Sequence, residues 1–337
     1  MDDPMSRIDD CLAIDREIAD LEAQLRDAKL RRQQQQQGTL SDKSAYDATS
    51  PKHQQRQHFL FLLSDSALPL GSFAFSSGLE SFLAHDKAAA AAAASASLAA
   101  AANALPRGLK SGPDAFAAFL PLSVTSYAHA SLPFVLAAHD AASAVVTSSV
   151  PGSPAPHASI DTFTAALALL DDTYDATIIC TVGRRASVAQ GRALLSVWER
   201  AFSPALTVSA ASDPLRPFAR RVKQSSNPPP GTLSEASAHM PPLFGAVAAL
   251  AGLDRRQTAD VFVLSHVKAL LSAAVRANLL GPYQAQRLLA SGLVQRLTTK
   301  AIQDTWNLSV DEAGQTVPVV DLWMGRHEML YSRIFNS

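Results

Sequence analysis

Serine, histidine, aspartate and cysteine are the side chains from which a reaction centre would be built, and their spacing in this chain assembles none. The nine histidines are scattered. None stands at a metal-ligand spacing from a Cys, Asp or Glu. His327-Glu328 is followed by Met-Leu-Tyr, so the second histidine of a zinc-protease helix is missing. Asp171, Asp172 and Asp175 have the composition of a metal cluster, but they read as a helix end and turn with solvated acids. Ser64 and Ser66 flank Asp65, yet no histidine is placed to activate a serine there. Turn and cap hydrogen bonding accounts for them. There is no Gly-x-x-x-x-Gly-Lys-Ser/Thr loop, no Gly-x-Gly-x-x-Gly and no Gly-x-Ser-x-Gly elbow. The chain is therefore not expected to hydrolyse a nucleotide itself. A hydrolase would need a nucleophile and a general base in reach, and the sequence offers no such pair. No catalytic residue, metal ligand or bound cofactor is assigned. His239 and His266 read as hydrogen-bonded core or cap residues.

Recognition chemistry is better represented. Between Leu63 and Glu80 the chain concentrates Ser66, Pro69, Gly71 and Gly78 between apolar runs. Pro69 fixes its own φ and Gly71 is free to take positive φ, which predicts a shaped turn. Ser76 or Ser77 then caps a helix running through Gly78, Leu79 and Glu80. A second feature is a polar stripe on an otherwise apolar helix. Ser265, Lys268, Ser272 and Arg276 recur at three, four and four. Either the stripe faces solvent, or it forms a polar seam at a partner surface or between subunits. The third is the C-terminus, where Arg326, His327, Tyr331, Arg333 and Phe335 give the aromatic-plus-arginine composition of a binding hot spot. His327, Leu330 and Ile334 share one face if the segment is helical. A last helix docked on its own core would show the same pattern.

The elements that must carry these residues are helical. At 337 residues and 47% hydrophobic the chain can bury a substantial core. Helical periodicity covers Ala115–Leu120, Ser131–Val146, Ile160–Asp171, Arg184–Ala201, Pro242–Ala251, Gln257–Leu280 and Gln284–Ile302. The β-branched runs are confined to Thr177–Val182 and Thr316–Val320. The expectation is an all-α, single helical-bundle domain of roughly eight to ten helices over 58–337. Low-complexity inserts interrupt it near 87–113, 148–157 and 225–237. Residues 1–57 form a charged helical extension and a Gln-rich linker. In that extension Cys11, Ile14, Ile18, Leu21, Leu25 and Ala28 make an a/d seam. It predicts a short coiled coil or a docked helix, with a solvated single helix as the alternative. A formal charge of -1 disfavours nucleic-acid binding. Lys268 and Arg276 within the longest apolar stretch argue for a core helix over a membrane span. Two cysteines and no apolar leader fit a soluble, cytoplasmic protein.

Five segments, in order, carry a family resemblance: Ser64 to Glu80, Arg184 to Leu195, His239 to Gly245, Ser272 to Leu289, and Arg326 to Ser337. Together they closely resemble the urease accessory protein UreF family, from about residue 58 to the end. Pro282 and Tyr283 depart from the Gly-Gln-Thr of many bacterial members, and the inserts mark a eukaryotic, fungal-type one. The resemblance implies an all-helical, non-enzymatic dimer. It implies assembly with a UreD/UreH-type protein and a UreG-type GTPase that binds the GTP. The cargo is nickel, delivered to apo-urease, with GTP hydrolysis coupled or gated. It places Glu80, Lys268 and Arg276 on the GTPase side. It places Arg326, His327, Tyr331, Arg333 and Phe335 on the UreD/UreH side. An all-helical adaptor with the same fold and another client is the alternative.

Overall fold

The computed structural model describes residues 51–65, 68, 74–85, 113–148, 156–206, 213–225 and 236–336. Ser66, Pro69, Gly71, the amino-terminal seam and most of the three inserts lie outside the described residues. Residues 58–337 form one compact unit. Its axis is a 36-residue helix, α3 (Pro113–Ser148), although it contains Pro121 and Pro133. Periodicity places two helices here, Ala115–Leu120 and Ser131–Val146, and the structure joins them although an interior proline removes a hydrogen bond and crowds the carbonyl four residues back. The helix continues because both freed carbonyls are provided for. His129 O, opposite Pro133, accepts from Gly314 N at 3.3 Å. Ala117, opposite Pro121, lies on the exposed side of the helix, where solvent rather than a protein donor can satisfy a freed carbonyl.

The other elements wrap this axis. In chain order they are α1 (Pro51–Leu63), a short α2 over 79–85, then α4 (Pro156–Thr177) and α5 (Thr181–Val197). Helix α5 runs on as a π-helical turn, Trp198–Phe202, and is followed by α6 (Arg216–Ser225). Then come α7 (Met240–Leu250), α8 (Arg255–Arg276), α9 (Pro282–Leu289), α10 (Gly292–Thr305) and α11 (Pro318–Arg326). The architecture is all-α as expected, with no strand among the described residues. The two β-branched runs instead open helices. Cys180 Sγ caps α5 by accepting from Gly183 N, and Pro318 occupies the first turn of α11.

Helix α3 packs most extensively on α7, then on α4, α8 and α10. The α3–α7 approach is close enough that a Cβ on Gly245 would stand 2.0 Å from Val135 O, so only glycine fits. Helices α3 and α8 are both long and apolar enough to cross a membrane, yet most of each is buried in the core. Helix α8 starts at a capping box made by Asp254 and Gln257. It stops at Arg276, four residues before the periodicity suggests. Asn278 adopts φ 57°, and Leu279 N bonds back to Ala274 O at 2.9 Å, a left-handed stop that hydropathy does not report. Likewise the single helix expected over Gln284–Ile302 is two, because Ser291 caps a new start through Val294 N.

Candidate functional site

Three of the segments singled out in the sequence converge on one place. Ser77 and Gly78 take φ 51° and 86°, turning the chain sharply into α2. Ser76, fully buried, accepts from Glu80 N at 3.4 Å, so it is the cap. A Cβ on Gly78 would lie 3.1 Å from Met324 N, so this turn sits directly against α11. The turn aims the Glu80 carboxylate at the end of the chain. There it accepts from Ile334 N at 2.7 Å and Phe335 N at 3.2 Å. Asn336 N donates to Ala74 O at 2.7 Å alongside.

The tail is held from two further directions. His327, buried at the end of α11, donates from Nε2 to Phe335 O at 3.0 Å. Its Nδ1 stands 3.6 Å from Glu80 Oε2, enclosed and without a hydrogen bond. The Phe335 ring is 4% exposed and lies under Arg276, whose Cζ is 4.4 Å from the ring centroid. Burial pushes the Arg276 guanidinium below its ordinary pKa; it remains a cation. Glu80, Arg276, His327 and Phe335 therefore form one clasp that folds the C-terminus back onto the body.

This corrects the sequence picture of the tail. Helix α11 ends at Arg326 and is followed by a 3-10 turn, His327–Met329, and then irregular chain. So His327, Leu330 and Ile334 do not share a helical face. Arg326, Tyr331 and Arg333 are exposed, as a docking role requires, whereas His327 and Phe335 point inward. The tail presents Leu322, Met329 and Ile334 as well, all more than half exposed. The sequence reading names Ile334 on a helical face but neither Leu322 nor Met329, because it looks for aromatic and arginine residues rather than exposed aliphatic ones. A salt bridge from Arg185 on α5 to Glu328 steadies the turn that presents them.

The polar stripe of α8 lies at the margin of the fold, neither solvated nor internal. Lys268 Nζ donates to Ser64 O at 2.6 Å, just past the carboxyl end of α1, where a cation suits the helix dipole. With Arg276 it walls a groove of about 700 Å³ between α8 and α9, floored by Leu271, Val275 and Leu289. Tyr283, 92% exposed, is its lip.

A separate polar network fixes the start of α7, and it revises the reading of the acidic trio. Asp171 is buried and accepts from the backbone N–H groups of Ser237, Ala238 and His239 at 2.7, 3.1 and 2.5 Å. Only Asp172 is fully solvated. Asp175 accepts from His239 Nε2 at 2.7 Å and pairs with Arg184. Burial pushes the Asp175 carboxyl up, but hydrogen bonds and charge from Arg184 and His239 outweigh that and hold its pKa below the usual range. His239 Nδ1 is 3.1 Å from Ser187 Oγ. A serine, a histidine and an aspartate thus stand in line, which spacing in the sequence does not reveal. The same groups fix the start of α7: Ser187 Oγ accepts from Met240 N at 3.2 Å, and His239 is fully buried.

Behind that network is a cavity of about 150 Å³ lined by Ser126, Tyr127, Tyr174, Ser187, Ser265 and His266. His266 bonds Ser123 Oγ at 3.0 Å and stacks on Tyr127, and burial pushes its pKa down to about 3, so it is neutral. Both histidines are core residues, as expected. Among the described residues, no three His, Cys, Asp or Glu side chains group as a metal site.

The UreF family model matches residues 110–292. The chain belongs to the UreF family. It is 31% identical over 284 residues to an uncharacterized urease accessory protein UreF-like of Schizosaccharomyces pombe, covering 84% of this chain and 98% of that one. It is 26% identical over 319 residues to urease accessory protein 6 of Cryptococcus neoformans var. grubii, covering 83% and 96%. It is 26% identical over 276 residues to urease accessory protein F of Oryza sativa subsp. japonica, covering 81% and 82%. The family-model match contains Lys268 and Arg276 but neither Glu80 nor the tail, so the clasp joins the matched core to elements on both sides of it.

Proposed function

We propose that the chain is a non-catalytic docking subunit in urease maturation. It assembles with a UreD/UreH-type protein and a UreG-type GTPase, and the complex passes nickel into apo-urease. Arg326, Tyr331 and Arg333, with Leu322, Met329 and Ile334, face the UreD/UreH-type partner. Lys268 and Arg276 face the GTPase across the α8–α9 groove, and Glu80 serves both faces by holding the tail. The chain works as a homodimer in the cytoplasm, and GTP stays on the GTPase. The observation that carries this reading is the position of Arg276. It walls the groove and at the same time covers Phe335 of the tail, so the two partner faces meet at one side chain.

Co-purification with each partner separately tests it. Tyr331→Ala with Arg333→Glu should lose the UreD/UreH-type protein, and Lys268→Glu should lose the GTPase while keeping the other. If the wild-type chain captures neither, and cells lacking it show normal urease activity, the reading is wrong. Capture of other proteins only would favour the all-helical adaptor with a different client.

A further inference from the structure

Helix α6 carries a cluster of charge that the urease reading does not use. Its sequence, Arg216 to Ser225, holds Arg216, Arg220, Arg221 and Lys223 and no acidic residue. The chain as a whole is nearly neutral, with 29 Lys and Arg against 30 Asp and Glu, so this concentration is local. The helix is oriented without ambiguity. Phe218, Ala219 and Val222 are buried in the core, which turns Arg216, Arg220 and Lys223 outward at i, i+4 and i+7. Arg200, exposed on the π turn, extends the same charge, because Lys223 Nζ reaches Glu199 beside it at 2.9 Å. Lys223 is ion-paired with Glu199, and Arg216 is engaged as well.

We infer that the outer face of α6 is a docking surface for an acidic helix of a partner protein, distinct from the tail and from the α8–α9 groove. Three features select that partner. The apolar side of α6 is already spent in the core, so nothing remains to enter a lipid surface. The outward residues of α6 include no aromatic ring on which a nucleic-acid base would stack. The cations are mostly guanidinium groups, whose fork matches a carboxylate in a two-point bond. Along the helix they are separated by about 6 Å and about 4.5 Å, the rise over four and three residues. Carboxylates at i, i+4 and i+7 of a facing helix repeat the same spacing.

The test uses the full chain and a synthetic helical peptide with Glu at i, i+4 and i+7, followed by fluorescence anisotropy. Binding should weaken about tenfold between low and high ionic strength, as exposed ion pairs are screened. The variant Arg220→Glu with Lys223→Glu should weaken it about tenfold or more while leaving the thermal midpoint unchanged. Arg220→Lys, which keeps the charge but not the fork, should fall between. Failure of the peptide to bind, or equal binding by the double variant, overturns the proposal. So does tighter, α6-dependent binding to phosphatidylserine vesicles or to a single-stranded oligonucleotide. None of these results depends on the urease partners, so the two readings fail separately.

Discussion

Replacing Glu80 with alanine is the sharpest probe of the clasp. The carboxylate accepts two backbone hydrogen bonds, from Ile334 N and Phe335 N, and little of its side chain reaches solvent. A hydrogen bond to a charged group contributes about 1.5–3 kcal/mol. The two share one acceptor and one loop, so their loss costs about 2–4 kcal/mol of local stability rather than their full sum. At about 1.4 kcal/mol per factor of ten, the amides of Ile334 and Phe335 should exchange with solvent roughly 30 to 1,000 times faster. Hydrogen exchange read by NMR on the isolated chain measures this directly. Glu80→Gln keeps one acceptor oxygen and should recover part of the protection. Amides in α3 should be unaffected, because the tail opens locally. Unchanged exchange at residues 334 and 335 in Glu80→Ala would refute the clasp, and so would uniform loss of protection throughout the fold.

Gly245→Ala would place a Cβ 2.0 Å from Val135 O and should destabilise the fold by about 1–3 kcal/mol or more, read from the urea midpoint. His266 should impose a pH dependence. Its folded pKa, about 3, lies below its unfolded value, so the unfolded chain binds the proton first. Stability should then be complete above about pH 6.5 and fall by up to about 1.4 kcal/mol per unit from there down to pH 3, a slope that His266→Gln should flatten. Asp175 acts lower on the scale. Its depressed folded pKa gives stability that is present above about pH 3.9 and lost as pH falls through the folded value, so Asp175→Asn should soften the acid limb. Fluorophosphonate should leave Ser187 unlabelled, since its hydroxyl is engaged with His239 and Met240 N; labelling detected by mass spectrometry would revive the hydrolase reading.

The helical class was readable because periodicity survives in α4, α5 and α8, each with apolar residues on its buried side, and because α7 is a continuous apolar run. What escaped were decisions made by partners distant in sequence. Ala115–Leu120 and Ser131–Val146 look like separate helices, and the carbonyl that Pro133 frees in the joined helix is satisfied by Gly314 N. Asp171 looks like a solvated acid until three backbone N–H groups 66 to 68 residues away converge on it. Glu80, Arg276, His327 and Phe335 were each visible by type, and the family resemblance assigned them to two opposite faces. Their meeting point was not visible, because no local pattern encodes a contact across 254 residues. The stop at Asn278 is a backbone event rather than a hydropathy event.

The bond from Gly314 N to His129 O also sets an order of events during synthesis. The carbonyl that Pro133 strips from the central helix finds its protein donor only near the far end of the chain. A nascent polypeptide with α3 through α8 already made still carries that orphaned acceptor, and Glu80 still waits for Ile334 and Phe335. Domains generally fold as units as they emerge, and closure between distant segments comes late. The central helix and the Glu80 turn are therefore completed only after Gly314 and Ile334 have been made. Shortened products that end before Gly314 should be handed to chaperones or proteases rather than accumulate as folded fragments.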